Sequence, residues 1–210
     1  GELNKLTKEN FDIISENLLK KMTNELIEQN KDQIAKHIFD IASSNKFYSN
    51  IYAILFKKII GNFEFMRNIL MSNFNSYMEL FKNIKSADPN KDYDLFCDIN
   101  KENEKRKAMS QFFVNLMLEE LLEKKDIMII LDSLFSMMFA YIEEKNKKAE
   151  GVEISENIFI FVTSLKNNLT NEEINEIKEK LTHVTAIKPS NINSMTNKIL
   201  FKYMDLMEEL

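Results

Sequence analysis

The chain has very little to turn with. Three of its 210 residues are glycine and two are proline. Tight turns need residues that accept positive φ or hold φ fixed. A fold rich in hairpins or βα crossovers is therefore excluded, and most of the length has to be helix. The scattered glycines form no phosphate-cradling loop. The single cysteine, Cys97, excludes an internal disulfide; set between Phe96 and Asp98 with no base beside it, it reads as a packed thiol and not a nucleophile. The two histidines, His37 and His183, have no Cys, Asp or His at metal-ligand spacing. From these absences no catalytic site, metal or cofactor is expected.

Charge of one sign is also lacking. Lys and Arg number 28 against 33 Asp and Glu, for a net charge of -5. A domain that grips nucleic acid by itself usually carries a basic excess, so tight autonomous RNA binding is not expected here, and weak or assisted contact is what the charge allows. Two basic clusters are the candidates for it: Lys101, Lys105, Arg106 and Lys107, then Lys145, Lys147 and Lys148. Both are interspersed with glutamates, and a solvated loop explains each more simply. The most apolar run, Ile127 to Ile142, is shorter than the roughly 20 residues a bilayer span needs and contains Asp132, Ser133 and Ser136. It reads as a helix buried in the middle of a stack. With no leader visible at the start, a cytoplasmic monomer is expected.

What is present is helical periodicity. Thr7 suits an N-cap, followed by Phe11, Ile14, Leu18 and Met22. Leu26, Ile27, Ile34, Ile38 and Ile41 continue as a second helix to Ser43-Ser44-Asn45. Tyr48 to Ile59 makes a third, stopped by Gly61-Asn62, and Phe63 to Ile84 a fourth. Pro89 breaks the chain within Ser86–Asn90. Asp92 to Lys107 is polar and reads as part helix, part connector. Strongly apolar helices follow from Ala108 to Leu121 and from Ile127 to Ile142. Glu143 to Glu150 is expected to be a solvated loop closed by Gly151. Ile154 to Leu169 reads as helix despite its strand-like Ile158–Val162 run, because no partner strand exists. Thr170-Asn171-Glu172-Glu173 is a capping box opening a helix to Ala186, and the last helix runs to Met207. The fold class is all-α: a single domain over 1–210, an α-solenoid of about four and a half antiparallel pairs with a period near the roughly forty residues of HEAT repeats.

Several blocks resemble one family. Leu3-Asn4-Lys5-Leu6-Thr7 with Phe11 is similar to the LNKLTP opening of the middle domain of eukaryotic translation initiation factor 4 gamma. Lys8 stands where that family commonly has Pro. Ile38-Phe39-Asp40-Ile41-Ala42 and Phe47-Tyr48-Ser49-Asn50-Ile51-Tyr52-Ala53 resemble its next helices, as do Arg67-Asn68-Ile69-Leu70 and Thr196–Phe201. Lys198 and Lys202 replace the arginines of the last motif, and the charged insertion is shortened to Ser86–Lys107. The resemblance implies a translation-initiation scaffold that binds the DEAD-box RNA helicase initiation factor 4A, bridges its two lobes and stimulates its ATPase. It implies helicase contact through Leu3, Leu6 and Phe11, and a second contact near the turn Lys188–Ser194. Capping geometry offers another role for the first set, a staple of Leu6 onto Phe11. An adaptor of mRNA surveillance, splicing or decay, or a structural helical module with direct RNA binding, is the alternative function.

Overall fold

The structure, a computed structural model, describes residues 2–25 and 30–210. All of the regular structure there is helical, and Leu26 and Ile27, expected to open the second helix, lie outside the described residues. A 3₁₀ turn, Glu2–Lys5, leads to α1 (Phe11–Glu25), α2 (Lys31–Ser44), α3 (Ser49–Asn62) and α4 (Met66–Ser76), which ends in a 3₁₀ turn, Tyr77–Phe81. After the proline break come α5 (Tyr93–Leu118), α6 (Lys124–Glu143), α7 (Lys148–Leu165), α8 (Asn171–Thr185) and α9 (Asn197–Glu209). The odd-numbered helices α1, α3, α5, α7 and α9 lie side by side in that order. The even-numbered ones back them, α2 on α3 and α5, α6 on α7, α8 on α9. That two-layer stack is the expected α-solenoid.

Apolar packing fixes the stack. Phe39 of α2, Phe56 of α3 and Phe112 of α5 meet edge to face, with ring centroids 5.9–6.0 Å apart. The adjacent Phe113 turns the other way, 5.2 Å from both Phe74 and Tyr77, and Tyr77 reaches Phe161 of α7. Two neighbouring residues of α5 thus join the two halves of the core, in the geometry that aromatic quadrupoles favour.

Four expectations change. First, the polar stretch 92–107 is no connector: α5 is one unbroken helix of 26 residues, about 39 Å long at 1.5 Å per residue. Asp92 caps it by accepting from the Leu95 amide at 2.9 Å, and its inward stripe continues with polar side chains. Second, Gly151 closes no loop. It lies inside α7, where a Cβ would come 3.3 Å from Ile199 Cδ1 of α9. The left-handed turns are instead made by Glu120 (φ 63) and Asn146 (φ 67). Glu120 sits at the left-handed position of a Schellman end to α5, with Leu121 N–H on the Leu116 carbonyl at 2.9 Å. Third, the helix enclosed on all sides is α7, packed by α5, α6 and α9. This explains its unbroken Ile-Phe-Ile-Phe-Val run, whereas α6 keeps Ile129, Asp132 and Ser136 in solvent. Fourth, Thr7 does not cap α1. Its amide donates to Asn10 Oδ1 at 2.7 Å, Asn10 Nδ2 reaches the Lys5 carbonyl, and the helix starts at Phe11. The capping box at Thr170 and Glu173 is present as expected. No helix among the described residues is long and apolar enough to cross a membrane.

Two features of α9 are testable. The Tyr203 hydroxyl of α9, whose ring lies beside Phe135 of α6, is buried and has no hydrogen-bond partner among the described residues, and an unsatisfied buried hydroxyl costs about 1–3 kcal/mol. Tyr203→Phe should therefore raise stability by about 1 kcal/mol in urea denaturation; a loss would mean the hydroxyl has a partner. Glu156 of α7 holds Lys202 (2.9 Å) and Lys198 (3.1 Å) of α9. Burial alone would raise its carboxyl, but the two ammonium groups together hold it below the ordinary carboxylate value. A depressed carboxylate stabilises above its unfolded pKa, and that stability is lost as pH falls through the folded one. Glu156→Gln should cost up to about 1 kcal/mol at neutral pH. The gap to the native chain should close in acid below the folded pKa, as paired denaturation curves would show.

Candidate functional site

The amino-terminal segment is pinned to the stack through its backbone. The buried Tyr52 of α3 donates its hydroxyl to the Leu3 carbonyl at 2.6 Å, and burial raises that phenol. Leu6 is only 2% exposed and belongs to the core. Its expected helicase contact is thereby corrected: a side chain enclosed by its own chain has no face to offer a partner. The staple in the form expected also falls, because the helix begins four residues after Thr7. Phe11 is half-buried against the core, with Lys58 Nζ 5.7 Å from its ring centre and bonded to Ser15 Oγ at 2.8 Å.

Leu3 keeps part of its surface. It lines a groove of about 620 Å³ with Leu18, Met22, Ile34, His37 and Ile38, between α1 and α2. On the other side of the same segment Asn4 lines a second groove, of about 610 Å³, with Phe47 at its wall. Leu3 and Phe11 are thus the members of the expected contact set that retain an exposed edge. Phe47 and Ile13, 91% and 66% exposed, are apolar side chains at the surface that lie outside the expected contact set. The signal for Ile13 lies in the helical spacing, since it falls off the Phe11, Ile14, Leu18, Met22 stripe; Phe47 follows the polar run Ser43–Lys46.

The basic clusters come apart in three dimensions. Arg106 is 6% exposed and spans the interior from α5 to α7. Its Nη1 donates to Glu153 Oε1 at 2.8 Å and Asn103 Oδ1 at 2.9 Å, and its Nε to the Leu80 carbonyl at 3.2 Å. Its guanidinium also lies over the Phe81 ring. This corrects its candidacy as an RNA contact, because the side chain is buried and its Nε and Nη1 are spent on groups inside the protein. The network continues: Asn157 Nδ2 donates to Glu153, Ser110 Oγ to Asn157 Oδ1 at 2.7 Å, and Tyr77 meets Ser110. Burial pushes the Glu153 carboxyl above its ordinary value, and Arg106 only partly offsets it. The same burial, outweighing the Ser110 hydrogen bond, pushes the Tyr77 phenol up.

The remaining lysines sit at the surface, most of them paired. Lys101 meets Asp98 at 3.0 Å, Lys105 approaches Asp40 at 3.9 Å, Lys107 binds Glu104, and Lys147 meets Glu150 at 3.1 Å. Lys145 and Lys148 are exposed and, among the described residues, have no ion pair. They flank a junction at the other end of the row. Ser194, 1% exposed, donates its amide to the Ile142 carbonyl at 2.9 Å and its hydroxyl to the Glu144 carbonyl at 2.7 Å, and accepts from the Lys147 amide. That serine fastens the Lys188–Ser194 turn to the α6–α7 loop, with Ile192 exposed. Lys198 and Lys202 face Glu156. No group of three or more potential metal ligands occurs among the described residues.

Compared with models of known families, with curated proteins and with solved structures, the chain matches none.

The buried pair gives a sharp energetic test. Arg106→Met or Glu153→Leu alone strands the other charge in the interior and should cost about 3–5 kcal/mol. The double variant removes both charges and should recover most of that loss. Chemical denaturation of the two single variants and the double variant measures the coupling; additive losses would show that the charges do not depend on each other.

Proposed function

We propose that this domain is a helical scaffold for translation initiation. It binds a DEAD-box RNA helicase of the initiation factor 4A type, bridges the helicase's two lobes and stimulates its RNA-dependent ATPase, which supports recruitment of mRNA to the ribosome. The observation that carries this reading is Leu3: a partly exposed leucine on a backbone tied down by Tyr52, at the rim of an apolar groove. A contact residue held in place before binding loses less entropy when it docks. The resemblance of the surrounding Leu3–Phe11 block supplies the identity of the partner.

The stack supports a two-point mode of action. Its row of odd-numbered helices has α1 at one end and α9 at the other, with the Ser194-fastened turn just before α9. A rigid body touching both helicase lobes stabilises one arrangement of them over another, and such a difference in affinity is what any stimulating ligand needs. The pairing of four of the six remaining lysines of the two basic clusters with carboxylates leaves direct RNA binding a minor part.

The test is the RNA-dependent ATPase of an initiation factor 4A-type helicase with and without the domain, alongside co-purification of the two proteins. Stimulation and co-purification are expected, and Leu3→Asp should weaken binding about tenfold or more with helical content unchanged. Neither stimulation nor co-purification would overturn the reading. Capture of a surveillance, splicing or decay helicase in its place would redirect it to the adaptor function. Leu6→Asp is unsuited to this test, since a charge at a core position unfolds the protein.

A further inference from the structure

The buried Arg106 leaves one of its nitrogens unspent. Its Nε and Nη1 serve Leu80, Asn103 and Glu153, while Nη2 has no hydrogen-bond partner among the described residues and is not sealed from solvent. The side chain, 6% exposed, lines a cavity of about 340 Å³ between α2, α5 and the turn after α4. The free N–H groups open there. A buried donor without an acceptor costs free energy, so the cavity favours an occupant that brings an acceptor to that depth.

The rest of the lining narrows what that occupant is. Phe39, Leu80 and Met109 form an apolar wall. Charged groups of both signs stand around it, and most of them cancel. Glu153 balances the Arg106 charge, Asp40 lies 3.9 Å from Lys105, and Glu79 is paired with Lys82 at 2.7 Å. Two lining groups have no ion pair among the described residues, the ammonium of Lys85 and the carboxylate of Glu102. What is left over is an N–H edge, one cation and one anion. A bare anion would be repelled by Glu102, and a bare cation by Lys85 and the guanidinium. A molecule that carries both charges meets a partner for each. The volume is at the lower end of the roughly 300–1,000 Å³ of small-molecule sites, so that molecule is small.

We propose that this cavity binds a free α-amino acid with an apolar side chain. Its carboxylate accepts from Arg106 Nη2 and Lys85, its ammonium donates to Glu102, and its side chain packs on Phe39, Leu80 and Met109. Leu3 lines a separate groove, so this site does not rest on the helicase reading.

The experiment is calorimetric titration of the chain with L-leucine. The other arms are 4-methylpentanoate, which lacks the ammonium, and isopentylamine, which lacks the carboxylate. Leucine should bind with a dissociation constant below about 1 mM, and each truncated molecule about tenfold more weakly or worse. Lys85→Met and Glu102→Gln, both at exposed positions, should each weaken leucine about three- to tenfold with helical content unchanged. The chain has two arginines, Arg67 and Arg106, so nitrogen-15 labelling of arginine alone gives a side-chain spectrum that resolves the buried one. Leucine should shift the Arg106 signal and leave that of Arg67 in place. No binding of leucine, equal binding of either truncated molecule, equal binding by both variants, or an unmoved Arg106 signal overturns the proposal; the free nitrogen is then met by water alone. The helicase measurement has its own variant, Leu3→Asp, so the two readings fail separately.

Discussion

A guanidinium enclosed in a helical core has to be held by hydrogen bonds, and in this protein that requirement organises the middle of the stack. Arg106 reaches from α5 to Glu153 on α7 while holding the carbonyl of Leu80 at the end of the preceding turn. The Tyr77–Ser110–Asn157 chain extends the same polar seam across three elements. Apolar contacts supply most of the packing energy, but they tolerate sliding. A charged pair with directional hydrogen bonds does not, because a shift strands a charge where water cannot reach it. The seam ties α5 to α7 with directional bonds, within a stack that apolar packing holds together.

The two ends of the stack are built differently from its centre. At one end a 3₁₀ turn is tied down by a single phenol, leaving Leu3 at one groove and Asn4 at another. At the other, Ser194 fastens a loop with three hydrogen bonds and holds Ile192 in solvent. Both are irregular segments made rigid by polar contacts to helices. Binding residues carried on such segments keep their exposure without losing their position.

Several parts of the fold were legible from residue order. The capping box at Thr170, the break at Pro89 and the apolar helices from Phe112 onward emerge where expected, since each depends on neighbours a few positions away. The long α5 was harder to read. Its inward stripe runs Phe96, Ile99, Asn103, Arg106, Ser110, Phe113 at alternating spacings of three and four, but half of those positions are polar and gave no hydrophobic signal. Their partners come from α7 and from the turn after α4, far along the chain. The same reason explains Arg106, which in sequence is one basic residue of a cluster and in space is a core residue. It also explains Leu6, whose burial depends on helices that follow it. The site at the amino-terminal end was legible as a segment, not as a set of side chains.

The sequence by itself determined that this protein is helical, and roughly where each helix lies, because helix formation is a matter of local spacing and of the scarcity of turn-forming residues. Only the tertiary structure decided which charges are solvated and which are buried, and which apolar side chains close the core and which face outward. Those outcomes are set by contacts between residues distant in the chain. Leu3 and Leu6, three positions apart, end differently: Leu6 is enclosed in the core, while Leu3 packs against it and keeps part of its surface at a groove.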